Sequence, residues 1–192
     1  MILSAGFLPA LFLAAAGSPA ATGTIVGRSP AASVVFLSVP VSEVPPPAPG
    51  PAVRLAVQNG RIAPKISAAA IGSPLEITLL DSVFADLSVY FGLSDLAFRH
   101  KFVLPGDVSK TKLSRPGLMT IENENAPTER AYVYVTPTSH FAVVGSDGRY
   151  RLEGIPAGKR RVAAWDEAKG TQDRDLVVPA GGTVELNFEF KK

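Results

Sequence analysis

The chain has 192 residues, 46% of them hydrophobic, which is enough to bury one core or two small ones and excludes a disordered tail. The formal net charge is only +2, and apart from Lys159-Arg160-Arg161 the basic residues are scattered, so no nucleic-acid or membrane-surface partner is predicted. The chain contains no cysteine, so disulfides cannot contribute to its stability.

The N-terminal segment, residues 1–21, has the pattern of a signal peptide. Residues 1–17 are apolar and uncharged, and Ser18-Pro19-Ala20 supplies the small residues that a signal peptidase reads. The apolar stretch is short for a membrane span and is interrupted by glycine and proline. We expect an exported protein, periplasmic or extracellular, without stable membrane insertion after cleavage. An uncleaved anchor or a buried segment is the alternative.

The first strands of the mature chain are followed by a proline-rich connector. Residues 24–26 and 33–37 are rich in β-branched side chains and are separated by a Ser29-Pro30 turn, which predicts an opening hairpin. Residues 40–51 then contain six prolines, which exclude a helix or a paired strand. We therefore predict a stiff, extended linker at residues 43–50.

A series of short strands follows the linker. Seven runs have strand length and strand composition, with glycine, proline, aspartate or serine between most of them. They are residues 52–58, 62–66, 75–79, 83–91, 98–104, 118–121 and 131–135. Seven such strands are typical of a β-sandwich or a small barrel.

The C-terminal part continues the β pattern. Ser146-Asp147-Gly148 predicts a hairpin turn, because Asp and Gly tolerate the positive φ of tight turns. Further strands are predicted at 149–152, 161–165 and 175–178. Residues 183–190 alternate strictly, so Val184, Leu186, Phe188 and Phe190 are expected to share one buried face.

The C-terminal pattern resembles a known family. The run SDGRYRLEGIPAGKRRVAAW and the closing PAGGTVELNF are similar to the carboxypeptidase regulatory-like domain, a transthyretin-like β-sandwich. Residues 23–27 and 32–37 are similar to the first two strands of that family. We therefore expect an all-β protein of two antiparallel β-sandwich or barrel modules. One module, residues 51–137, is inserted after the second strand of a sandwich formed by residues 22–42 and 138–192.

The inserted segment resembles a cupredoxin. Residues 116–135 have the layout of the last two cupredoxin strands and of the loop between them that carries copper ligands. The combination of the two modules is similar to that of bacterial exported proteins often labelled methylamine utilisation proteins. The resemblance places the ligand positions at Ala85, Asn123, Ala126 and Glu129. Type 1 copper needs a thiolate and two imidazoles, so we predict no metal, no cofactor and no electron transfer.

Other candidate site residues carry weak signals. His100 and His140 lack a surrounding motif and are expected on a strand face or a turn. No nucleophile elbow is present, and no catalytic residue is predicted. A calcium pocket could use four carboxylates, but without calcium-loop spacing a solvated acidic loop beside Arg130 is favoured. Those carboxylates are Asp86, Glu122, Glu124 and Glu129.

Lys159-Arg160-Arg161 could contact an acidic partner, but a basic run at the start of a strand more often marks an exposed turn, and we favour that interpretation. Trp165 is expected to pack in the core rather than to act as a sugar platform. The sequence thus predicts a non-catalytic, exported binding or structural protein that presents loops and strand edges to an envelope protein or a glycan. The alternative is an accessory role in a periplasmic redox or copper-handling pathway, which requires copper uptake.

Overall fold

The computed structural model describes residues 21–31, 33–44 and 50–190. Residues 1–20, and with them nearly all of the expected signal peptide, lie outside this part. The described strands are β1 Thr22–Arg28, β2 Val34–Ser38, β3 Val53–Gln58, β4 Arg61–Ala63, β5 Ile66–Ala70, β6 Pro74–Leu79, β7 Ala85–Phe91, β8 Asp95–Phe102, β9 Val108–Lys112, β10 Gly117–Asn123, β11 Ala126–Thr136, β12 Phe141–Val143, β13 Arg149–Pro156, β14 Gly158–Asp166, β15 Gly170–Val178 and β16 Thr183–Glu185. A 3₁₀ turn spans Val41–Glu43. Within these residues, no helix has the length and hydrophobicity to cross a bilayer.

Strands β1, β2 and β12–β16 form one sandwich, which we call the outer module. A sheet in the order β13-β1-β16 faces a sheet in the order β12-β2-β14-β15. The core between them includes Ile25, Val35, Leu152 and Val162, each fully buried. Phe188 is buried in the same core, with Val184, Leu186 and Phe190 packed against it, so the predicted shared face of the closing segment is confirmed.

Strands β3–β11 form the second sandwich, which we call the inserted module. Its sheets have the orders β5-β11-β10-β7-β8 and β4-β3-β6-β9, with a core of Leu, Ile and Val side chains between them. Strands β2 and β12, which flank this module in the sequence, are direct neighbours, and Phe36 pairs with Phe141. The prediction of an all-β protein with one module inserted into the other is therefore confirmed.

The two modules pack sheet against sheet, so the protein has four β layers. Phe36 and Trp165 on the outer module meet Tyr132 and Tyr134 on the inserted module, with ring centroids 4.8 to 5.7 Å apart. Lys65 and Glu167 form an ion pair of 2.8 Å across the same junction. Both faces of β2 and of the C-terminal halves of β11 and β14 are thus covered, which explains the apolar runs there.

The predicted opening hairpin is wrong. Strand β1 pairs with β13 and β16, whereas β2 pairs with β12 and β14 in the facing sheet. The turn at 146–148 is present but likewise joins strands of opposite sheets. The two connections support each other, because Ser29 N donates to Gly148 O at 2.9 Å and Val144 N donates to Ser33 O at 2.8 Å.

Further differences concern individual elements. The single strand predicted at 62–66 is two strands in different sheets, β4 and β5, separated at Pro64, which has no N–H to donate. Strand β9 was not predicted, because Val108–Lys112 is mostly polar. The proline-rich connector begins with the 3₁₀ turn at Val41–Glu43 instead of an extended segment. Residues 45–49 of the connector lie outside the described part. The sheets are mostly antiparallel, with parallel pairings at β1–β16, β3–β6 and β5–β11.

Candidate functional site

One end of the inserted module gathers the positions that the cupredoxin resemblance singles out. Strands β10 and β11 are joined there by Glu124 and Asn125 alone, so three of the four positions compared with copper ligands, Asn123, Ala126 and Glu129, lie within the strands rather than in a long loop. Asn123 is buried; its Nδ2 donates to Gly60 O at 2.8 Å, and its Oδ1 accepts from Asn125 N at 3.1 Å. The side chain of Asn123 therefore closes the hairpin.

These residues do not fit a type 1 copper ion. Ala85 is buried, and both it and Ala126 end in a methyl group, which cannot coordinate a metal. The Asn123 amide is occupied by its two hydrogen bonds. Glu129 offers only a hard oxygen donor, 3.9 Å from Arg61 Nε. Because the chain contains no cysteine, no thiolate is available to hold copper through both oxidation states.

The four carboxylates considered for calcium have separate surroundings. Glu122 pairs with Arg130 at 2.8 Å, and Ser88 Oγ donates to Glu124 Oε1 at 2.5 Å. Asp86 contributes its backbone to the end of the module, donating to Asn125 Oδ1 at 2.9 Å. Among the described residues no three His, Cys, Asp or Glu side chains converge in a way that could hold a metal ion.

The same end of the module exposes apolar side chains. Segment 80–84 precedes β7 and segment 103–107 follows β8, and the two lie side by side because Ala85 pairs with Phe102. They expose five large apolar residues, each between 52% and 64% accessible. We call this surface the apolar loop patch; it consists of Leu80, Val83, Phe84, Val103 and Leu104.

Two aspartates fix the backbone under the patch. Asp107 Oδ2 accepts hydrogen bonds from Val103 N at 2.8 Å and Leu104 N at 2.9 Å, and these bonds hold the pKa of Asp107 below its ordinary value. Asp81 accepts hydrogen bonds from Val83 N and Asn59 N. The apolar side chains therefore project from loops with defined conformations.

The histidines lie apart from each other. His100 is on β8, half-buried, with its ring 4.4 Å from that of Phe102. His140 directly precedes β12, and its Nε2 donates to Gly154 O at 3.1 Å, since a carbonyl oxygen can only accept. Its Nδ1 is buried without a hydrogen-bond partner among the described residues.

The basic run and the tryptophan are both placed by β14. Arg160 is half-buried and donates to backbone carbonyls of the preceding turn, whereas Arg161 pairs with Asp175 at 2.8 Å. Lys159 is exposed. Trp165, 5% accessible, packs between the two modules, as expected for core packing.

Sequence reasoning missed the apolar loop patch. Residues 83–91 and 98–104 were predicted to be strands throughout, so Val83, Phe84, Val103 and Leu104 were assigned to strands rather than to loops. The available signal was the position of these residues beside Asp81 and Pro105-Gly106-Asp107, which are typical turn residues.

A family model supports the expectation for the C-terminal part. The model of the carboxypeptidase regulatory-like domain matches residues 119–191, less than half of the chain. The match begins in β10 and includes β12–β16 of the outer module. No curated protein sequence is similar enough to count as a match.

Solved structures with partial similarity include copper proteins. A purple cupredoxin from Nitrosopumilus maritimus is 15% identical, covers 43% of this chain and 98% of its own, and has a TM-score of 0.39. Amicyanin from Paracoccus versutus is 12% identical over 53% of this chain and 97% of its own, with a TM-score of 0.40. A copper-containing nitrite reductase from Thermus scotoductus is 16% identical over 44% of this chain but only 22% of its own, with a TM-score of 0.39. Similarities this low assign no function.

Proposed function

We propose that this protein is a non-catalytic, exported binding protein that holds a partner at the apolar loop patch of its inserted module. The patch itself carries the proposal. Five large apolar side chains exposed together at one end of a module are unfavourable in water unless another surface covers them. Isolated exposed apolar residues are common in proteins, but a contiguous group marks a binding surface.

The conformation of the patch favours binding. Asp81 and Asp107 hold the backbone of both loops through hydrogen bonds, so little conformational entropy is lost when a partner docks. The same carboxylates belong to the two loops that carry the apolar side chains, so charged groups stand next to an apolar surface. That arrangement is typical of protein interfaces.

The chemistry of the patch favours an envelope protein over a glycan. Four of its five side chains are aliphatic and offer a sugar neither hydrogen bonds nor an aromatic face. Trp165, the side chain best suited to stack on a sugar, is buried between the modules. A protein surface with its own aliphatic side chains complements the patch better.

A role in copper handling is the alternative, and the donor set argues against it. With Ala85 and Ala126 at two expected ligand positions and the Asn123 amide already hydrogen-bonded, the inherited site lacks soft donors. Elemental analysis of the purified protein tests this point. A stoichiometric transition metal would overturn the proposed absence of copper chemistry.

Site-specific photo-crosslinking tests the proposed binding surface. A photoreactive amino acid replaces Phe84 or Leu104 in the patch, or Leu93 as a control. Leu93 is 73% accessible and lies in the β7–β8 hairpin at the other end of the module. In envelope fractions of the source cells we expect one discrete adduct from positions 84 and 104 and none from 93. Phe84→Asp should remove the adduct formed at position 104. Equal labelling from all three positions, or none from 84 and 104, would refute the proposal.

Export is tested separately. Residues 1–30 fused to a reporter that is active only after translocation should give an active reporter. A reporter that remains in the cytoplasm would refute the proposed location without bearing on the patch.

A further inference from the structure

A cleft of about 570 Å³ lies where the chain passes between the two modules, and we call it the junction cleft. Its described lining includes Val39, Pro40, Ile71, Pro137, His140 and Arg160. Residues 45–49 lie outside the described part, and the site is defined without them. The volume falls within the range of about 300–1,000 Å³ that is typical of small-molecule sites.

The cleft contains positive charge that no described carboxylate neutralises. Arg160 donates from Nε to Pro156 O at 2.8 Å, from Nη1 to Lys159 O at 3.1 Å and from Nη2 to Ala157 O at 2.9 Å. These carbonyls hold the guanidinium in one orientation, but they carry no net charge. Two of its five N–H donors have no acceptor among the described residues.

The neighbouring basic residues differ in this respect. Arg161 is paired with Asp175 through two hydrogen bonds, of 2.8 and 3.2 Å. Lys159 lines the cleft and forms no ion pair with a described carboxylate, and Glu43, which also lines it, pairs with neither Lys159 nor Arg160. Lys159 and Arg160 carry two positive charges against the single negative charge of Glu43, so the net charge of the lining is positive. Of these two cations, Arg160 is held in a fixed orientation.

Besides these charged groups and the polar residues Ser38, Thr138, Ser139 and His140, the lining is apolar. Leu37, Val39, Ile71, Pro137 and Pro156 contribute aliphatic surface. A second cleft, of about 760 Å³, adjoins along Ser38–Pro40 and Lys159–Arg161 and ends at the exposed Val177, so an elongated ligand has room to continue past the basic residues. An inorganic anion would leave this apolar surface uncovered, whereas an uncharged lipid would leave the guanidinium without a counter-charge.

We propose that the junction cleft binds a small organic anion with an aliphatic body, of the class of medium-chain carboxylates. Arg160 and Lys159 hold the carboxylate, because charge-assisted hydrogen bonds from a fixed guanidinium are strong and directional. The aliphatic chain covers the apolar lining. This site is separate from the apolar loop patch and does not depend on the proposed partner there.

A fluorescence titration tests the site on the purified protein. The probe is an undecanoate carrying a dansyl group, and the competitors are decanoate and decanol, which differ in charge but share an aliphatic chain. We expect saturable probe binding and displacement by decanoate at concentrations at least tenfold lower than by decanol. Arg160→Gln should weaken binding at least tenfold, since it removes the fixed cation.

Two further variants keep the test valid if Arg160→Gln disturbs the turn that Arg160 holds. Lys159→Gln removes a charge without breaking those hydrogen bonds. It should weaken the binding of decanoate more than the binding of decanol. Ser139→Trp fills the mouth of the cleft from an exposed position and should abolish probe binding. Lys101→Gln, a charge removal on the exposed side of β8, should leave binding unchanged.

The opposite results would overturn the proposal. Equal displacement by decanol and decanoate would show that charge is not recognised. Wild-type binding in both Lys159→Gln and Ser139→Trp would place the probe elsewhere, and loss of binding in Phe84→Asp would place it on the apolar loop patch. Absence of saturable binding would likewise refute the site.

Discussion

Replacing Trp165 by alanine should severely weaken the packing between the two modules. A tryptophan side chain buries about 150–250 Å², and at about 25 cal/mol per Å² this corresponds to about 4–6 kcal/mol. Alanine retains part of that burial, so the expected loss of unfolding free energy is about 3–5 kcal/mol, the usual range for large-to-small core substitutions. The loss includes the ring contacts of Trp165 with Tyr132 and Tyr134, at 5.7 and 5.6 Å.

Guanidinium unfolding measures the effect. It is followed by far-UV circular dichroism, because the substitution removes the only tryptophan. Trp165→Phe, which keeps an aromatic ring, should lose less than half as much, and Leu93→Ala, at a highly exposed position, should change stability by less than about 0.5 kcal/mol. A loss below about 1 kcal/mol for Trp165→Ala, at an unchanged m-value, would refute tight packing at this junction.

Three further predictions concern the outer module and the junction. Gly27→Ala should destabilise the protein by about 1–3 kcal/mol in the same unfolding assay, because the new Cβ would lie 1.7 Å from Leu186 O. Gly145→Ala is the control and should be nearly neutral, because the Cβ added there would lie 3.5 Å from its nearest neighbour, Asp147 Oδ1. Burial raises the pKa of Tyr150 above its ordinary 10.0, so the unfolded chain loses the phenol proton first as the pH rises. The free energy of unfolding should therefore fall above pH 10. Tyr150→Phe should make this fall shallower in unfolding measurements from pH 8 to 11.5, and an unchanged slope would contradict the prediction. Lys65→Ala removes a largely exposed ion pair across the junction and should cost less than about 1 kcal/mol, with the difference shrinking at high salt.

The strands that could be predicted best are those with one buried face. The closing segment alternates, and Phe188 with its period-two neighbours packs on the outer core as the pattern indicates. Strands covered on both faces give continuous apolar runs, which indicate burial but not which sheets cover them. The junction between modules, built from Phe36, Tyr134 and Trp165, was therefore not predicted.

Strand pairing was predicted less well than strand position. The sequence places β1 and β2 correctly, but a short connection between two strands fits a hairpin and a crossing between facing sheets equally well. The crossing is favoured here because it places Ile25 and Val35 on the two facing sheets, where both are buried in the core of the outer module. At Pro64 the sequence contains the signal for a break, but not the information that the chain changes sheets there.

The candidate sites differ in how far the sequence reveals them. The unsuitability of Asn123 and Ala126 as copper ligands follows from residue chemistry alone and needs no coordinates. The apolar loop patch depends on which apolar residues fall just outside a strand, and strand ends are the least certain part of a sequence-based assignment. The junction cleft depends on contacts between segments far apart in sequence, so only the fold brings Ile71 and Arg160 to one surface.

The two proposed sites lie at opposite ends of one strand. Strand β11 begins at Ala126, beside the loop end of the inserted module, and ends at Thr136, directly before Pro137 of the junction cleft. Ten residue steps of about 3.3 Å separate these ends by roughly 33 Å. Substitutions that far apart, without shared partners, act independently. A partner that covers Phe84 therefore leaves Arg160 accessible, and each site can be disproved without affecting the other.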